Sequence, residues 1–166
     1  RNNMASQGAG IGSPIESSVV NILDSIIENN ESTNGAPAIQ ASGIVNIYNT
    51  IIRHNYANCN CASGGIQGGG EFYISKSIFY GNYTNNNSIG LFLSQATIDR
   101  STILDDLRST VTDESIYISS SIIWSTISGW SSSIVSSFSN VQNTDFNSDE
   151  LLVGENNISI DPQFTE

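Results

Sequence analysis

The stretch Gly64-Gly-Ile-Gln-Gly-Gly-Gly-Glu-Phe-Tyr-Ile-Ser-Lys-Ser-Ile-Phe-Tyr-Gly-Asn82 contains one complete repeat. A glycine corner leads into a short apolar run at Ile66, and a second run alternates as Phe72 and Ile74. Ser75-Lys76 forms a polar bend, Ser77-Ile78-Phe79 a third run, and Gly81-Asn82 a closing turn. Period-two alternation in short runs, punctuated by glycine and asparagine, is the signature of strands.

Working outward, the same unit recurs in register. A first apolar column reads Val20, Val45, Phe72, Ala96, Ile116, and a second Ile22, Ile47, Ile74, Ile98, Ile118. A hydroxyl column follows at Ser25, Thr50, Ser77, Ser101 and Ser121, then a third apolar column at Ile27, Ile52, Phe79, Ile103 and Ile123. The last column is read as Asn30, Asn55, Asn82, Asp106 and Thr126. Successive hydroxyls lie 25, 27, 24 and 20 residues apart. Repeats of this length that cannot bury their apolar side chains alone must stack on one another. The expectation is an all-β solenoid, a parallel β-helix of about six to seven rungs. Residues 1–166 form one domain, regular over 1–126 and narrower and irregular over 127–166.

Sixteen acidic residues against five basic ones give a net charge of −11. That balance argues against DNA, RNA, anionic membranes and anionic polysaccharides, each of which needs clustered Lys and Arg. Only 13% of residues are charged, while Asn, Ser, Thr and Gly abound, which suits a rigid extracellular β surface. No apolar run approaches the roughly 18 residues of a membrane span, so membrane insertion is not expected. Asn2-Asn3 resembles the Asn29-Asn30 tail of a rung, so the chain is expected to open inside a repeat.

The Gly-Gly-Ile and I-x-x-S-I-F-x-G-N units resemble the right-handed parallel β-helix repeat family of bacterial secreted proteins. Three C-terminal segments, Ser121 to Trp124, Ser137 to Gln142, and Asn156 to Phe164 with its Asp161-Pro162-Gln163-Phe164, are similar to the end of a choice-of-anchor β-helix domain. The resemblance covers essentially the whole chain and implies a right-handed coil and a secreted or surface-displayed protein. Family members usually continue past the D-P-x-F element into a capping segment and a sorting tail. Both ends of this solenoid are therefore expected to be open.

Candidate chemistry is sparse. A glycosidase needs two carboxylates across a cleft, and the densest acidic cluster is Asp99, Asp105, Asp106, Asp113 and Glu114. Asp105-Asp106 reads as a polar turn, and Arg100, at the bend equivalent to Lys76, as solvent-facing. His54 falls at the turn equivalent to Gly81, and the many serines lack a base and orienting partner. Asp145, Asp149 and Glu150 are a weak calcium candidate, read as a solvated acidic loop, so no cofactor is expected. Cys59 and Cys61 are either loop thiols or one strained link. N-x-[S/T] sequons make Asn30, Asn82, Asn86 and Asn157 candidate glycosylation sites, with Asn30 and Asn82 also read as turn residues.

The resulting expectation is a non-catalytic structural protein, extracellular or on the cell surface. Its partner is a further copy of itself, stacked head to tail as a filament subunit, or the rest of a surface adhesin. The alternative is a module that binds carbohydrate or degrades polysaccharide, with glycans as partners, working around Asp99 to Glu114 or near Trp124.

Overall fold

The computed structural model describes residues 1–59, 63–85, 89–109, 116–125, 127–128, 134–141, 152–153, 156–158, 160 and 162–163. These residues form a parallel β-solenoid built of strands and turns, with no helix among them. Neighbouring strands belong to successive coils, so each side of the coil becomes a sheet. A short sheet of four strands stacks Met4–Ala5, Glu31–Ser32, Tyr56–Ala57 and Tyr83–Thr84. A sheet of six stacks Ile26–Glu28, Ile51–Arg53, Ile78–Tyr80, Thr102–Ile103, Ile122–Ile123 and Asn140–Val141. The remaining two sides join as one sheet of eleven strands, because Ile66–Ser75 and Ile89–Asp99 run through both.

The apolar columns stack in the register expected from sequence. Val20 pairs with Val45, Val45 with Phe72, Phe72 with Ala96, and Ala96 with Ile116. Ile26-Ile27 pairs with Ile51-Ile52, and that pair with Ile78-Phe79. Alternation turns every second side chain inward, and one continuous core runs from Ile22 to Val141. In the eleven-stranded sheet the register between Ile66–Ser75 and Ile89–Asp99 shifts between Gly68 and Glu71. A Cβ on Gly70 would stand 2.0 Å from the carbonyl oxygen of Gly43, so only glycine lets the two coils approach there.

Corners cannot use strand pairing alone, and two internal ladders take over. At the first corner one residue per coil adopts a left-handed conformation: Asp24, Asn49, Lys76, Arg100, Ser120, Phe138 and Asn156. The hydroxyl residue that follows accepts the backbone N–H of its counterpart in the preceding coil. Thr50 donates its N–H to Ser77 Oγ at 3.1 Å, Ser77 to Ser101 at 3.1 Å, Ser101 to Ser121 at 3.1 Å, and Ser121 to Ser139 at 3.2 Å. The column continues beyond Ser121, through Ser139 to Asn157, whose Oδ1 accepts from Ser139 N–H at 3.1 Å.

The second ladder is made of amides. Asn3 donates both its N–H and its Nδ2 to Asn30 Oδ1, Asn30 does the same to Asn55, and Asn55 to Asn82. The next member is Asp105, not Asp106: it takes Asn82 N–H on Oδ1 at 3.1 Å and Asn82 Nδ2 on Oδ2 at 2.6 Å. This corrects the sequence register by one residue. Coils one to three carry a left-handed residue before the ladder, at Asn29, His54 and Gly81, whereas Leu104 is not left-handed. Thr126 lies outside the described residues; Ser125 is buried and donates to the Asp105 carbonyl at 2.7 Å.

The same change alters the cross-section. After Asn3, Asn30, Asn55 and Asn82 the chain makes a short strand on the fourth side, but after Asp105 it enters Asp106–Ser109 of the large sheet directly. Four coils are thus complete on all sides, fewer than the six or seven rungs expected. Beyond Asp105 no further strand joins the fourth side among the described residues, and the hydroxyl spacing falls to 20 and then 18 residues.

Asn55 has no exposed surface and both accepts and donates within its ladder. Asn55→Ala strands two donors of Asn30 in the interior and should cost about 3–5 kcal/mol. Thr50→Val, which keeps the shape and removes one acceptor, should cost about 1–2 kcal/mol. Urea unfolding of both variants checks this order.

Candidate interaction site at the edge of the first coil

Most chemistry-bearing side chains are committed to the scaffold. Asn30 and Asn82 are buried in the amide ladder, and that leaves no room for an attached glycan at either position in the folded chain. Asn157 is half-buried; its Oδ1 accepts from Ser136 Oγ and Ser139 N–H, and its Nδ2 donates to the Ser136 carbonyl. Asn86 lies outside the described residues, as do Cys61, Asp113, Glu114, Trp130, Asp145, Asp149 and Glu150. Cys59 is disulfide-bonded.

The acidic cluster is taken apart by the fold. Asp99 points outward, accepts from Arg100 Nε at 2.6 Å and from Ser119 Oγ at 2.9 Å, and the Arg100 hydrogen bond holds its carboxyl below the usual range. Asp105 is only 5% exposed and belongs to the ladder. His54 is exposed at its turn and meets Tyr80 edge-on, with ring centroids 5.0 Å apart. Trp124 is half-buried on the outer face. No group of three or more His, Cys, Asp and Glu side chains that could hold a metal ion occurs among the described residues. No helix there is long and apolar enough to cross a membrane.

Sequence reading missed a charged cluster on the six-stranded sheet. Glu28, Arg53 and Tyr80 stack in one outward column; Glu28 accepts Arg53 Nε at 2.8 Å and Arg1 Nη1 at 3.1 Å, and Arg53 Nη1 donates to Tyr80 Oη at 2.7 Å. The Arg53 hydrogen bond holds the Glu28 carboxyl below its usual range. The signal was present as acid, base and aromatic at one column position.

The feature left uncommitted is the leading edge of the first coil. Met4–Ala5, Ile11–Ser13, Val19–Leu23 and Ile26–Glu28 each pair on one side only. In later coils the Tyr48 and Ser75 carbonyls each accept a left-handed N–H from the coil before, as well as a hydroxyl from their own coil. The equivalent Leu23 carbonyl receives only the Ser25 hydroxyl among the described residues. Met4, Ile15, Val19, Leu23 and Ile26 are all exposed there, Ile26 at 55%. At the end of this row Asn2 N–H donates to the Glu28 carbonyl at 3.3 Å, so residues 1–3 already lie over positions 28–30.

Asp105 also sets a pH dependence. Burial pushes its carboxyl up to about 6, against hydrogen bonds from Asn82 and Gly81 that pull it down. The folded form then binds the proton more tightly than the unfolded chain, whose reference value is 3.8. This contribution to stability is therefore greatest below about pH 4, declines as pH rises towards 6, and stays lost above it, by about 3 kcal/mol. Asp105→Asn continues the ladder without a charge and should stabilise the fold by about 1–3 kcal/mol at pH 7 and hardly at all at pH 4. Denaturant titrations at the two pH values give the comparison. Set against protein-family models, curated proteins and solved structures, the chain matches none of them.

Proposed function

We propose that this chain is a non-catalytic structural β-helix of the choice-of-anchor kind, extracellular or displayed on a cell surface. Its solenoid is lengthened by further coils added at its ends. The single observation that carries this reading is the pair of in-register side-chain ladders, which commits the polar residues of the corners to joining coil to coil. The internal chemistry supports it. Serine, threonine and asparagine side chains join coil to coil, and the carboxylates at positions 99 and 105 serve an ion pair and a ladder. A head-to-tail contact that does not close produces a filament.

Sedimentation velocity and negative-stain microscopy over a concentration series test the reading. Rods should lengthen in multiples of the length of one chain as concentration rises. Uniform single-length rods at every concentration would instead favour a segment of a larger adhesin whose own neighbouring coils cover the edge.

One observation favours the glycan reading. A shallow groove of about 350 Å³ on the large sheet is lined by Glu16, Ile44, Glu71 and Gln95 over a floor at Gly43, Gly69 and Gly70. Tyr73 stands beside it, exposed, and donates to Glu71 at 2.9 Å. If glycans bind there, Gly69→Leu, at a position with open space for a side chain, should abolish binding on a neutral-glycan array without loss of stability. An array blank for the unmodified chain removes this second reading.

A further inference from the structure

The ladders engage the corners, and the outer face of the large sheet carries different chemistry. Two columns run side by side along it: Asn46, Tyr73, Thr97, Tyr117 and Tyr48, Ser75, Asp99, Ser119. Three of the six tyrosines, Tyr48, Tyr73 and Tyr117, stand on this face, all exposed. Two of the rings are held by their hydroxyls. Tyr73 donates to Glu71 at 2.9 Å, and Tyr48 accepts from Lys76 Nζ at 2.7 Å, with that ammonium 4.9 Å from the ring centroid. A ring fixed before binding loses little further freedom when a ligand covers it.

Tyr73 forms a ridge between two shallow troughs. On one side lies the groove over Gly69 and Gly70; on the other, a trough of about 290 Å³ is lined by Asn46, Tyr48, Ser75, Thr97 and Asp99. Unlike the ladder side chains, Asn46 Oδ1 and the Ser75 and Thr97 hydroxyls make no hydrogen bond among the described residues. The charges around the tyrosines balance, Glu71 and Asp99 against Lys76 and Arg100, so this face sets up little field to draw an ion. Aromatic faces beside free amide and hydroxyl groups suit a neutral sugar, whose C–H face stacks on the ring while its hydroxyls meet the polar groups. Spacing then selects the chain. Tyr73 and Tyr117 share one column with the smaller Thr97 between them. Two layers at the strand separation of a sheet place them about 9.6 Å apart along the solenoid axis. A β-1,4-linked chain of pyranoses is a flat ribbon whose rings alternate in orientation. The same ring face therefore returns at every second sugar, with a period close to that separation. An α-1,4-linked chain coils and does not follow a straight column.

We infer that this face binds a neutral β-1,4-linked polysaccharide lying along the solenoid axis. Alternate rings stack on Tyr73 and Tyr117, and the ring between them passes over Thr97. This inference rests on the glycan reading of the large sheet and specifies the class of ligand and its contacts.

Isothermal titration calorimetry with cello-, xylo- and manno-oligosaccharides of two to six rings tests it, with maltohexaose as the α-linked control. Three rings are the fewest that reach both tyrosines, so affinity should rise about tenfold between the disaccharide and the trisaccharide of the preferred series. Tyr117→Ala should remove that rise and leave disaccharide binding as it was. Tyr117→Phe, which keeps the ring, should bind like the unmodified chain. Tyr73→Ala should weaken every length and carries the test if Tyr117→Ala does not fold, as judged by circular dichroism and a thermal melt. A preference for any other linkage would overturn this placement and leave the glycan reading standing. So would binding that both folded alanine variants keep and Gly69→Leu loses. A neutral-glycan array blank for the unmodified chain would overturn both.

Discussion

A coil that turns a corner carries backbone N–H groups past the point where the neighbouring strand can receive them. Left unpaired in the interior, each would cost about 1–3 kcal/mol. This solenoid meets the constraint by placing a side-chain oxygen of the next coil beneath each such N–H: a hydroxyl at the first corner and a carboxamide at the second. Because the acceptor belongs to the following coil, the solution works only if every coil repeats it at the same place. In-register stacking is thus a requirement of the corners as well as of the core. The apolar columns supply the burial, while the ladders set the position of each coil on the next.

The demand explains where the architecture changes. The amide column persists while the chain turns at that corner into a fourth side, through Asn82. After Asp105 the chain omits that side; the turn there lacks the left-handed residue before the ladder, and the column closes with Asp105. Gly90 packs so closely on Asp105 that a Cβ would fall 2.1 Å from the aspartate Cβ. A carboxylate accepts both bonds from Asn82 and has no N–H to pass on, which suits the terminus of the column. Its charge, held in a buried site, destabilises the fold above the pH at which it ionises.

Much of this was legible in the chain because stacking puts like on like. Val20, Val45, Phe72, Ala96 and Ile116 share a column on the page and in space, and so do the five hydroxyls. What failed did so locally. A column aligned by spacing from Phe79 and Ile103 places Asp106 beside Asn82, and only the backbone shows that one residue of the turn has gone. Past Ser121 the bend is hidden by its occupants, since Phe138 and Asn156 hold the left-handed position and Asn157 replaces the hydroxyl. Glu28, Arg53 and Tyr80 escaped because their column carries no repeated residue type, although acid, base and phenol are complementary when stacked. The sequons at Asn30 and Asn82 fall on residues also read as turn residues, and it is the interior that requires their amides.

The ladders also give the rod a direction. In both columns the N–H donor lies in the earlier coil and the accepting side chain in the later one, so the two ends cannot present the same groups. Each coil therefore passes its corner donors to the coil that follows it, so the direction of the chain and the direction of the ladders coincide along the described solenoid.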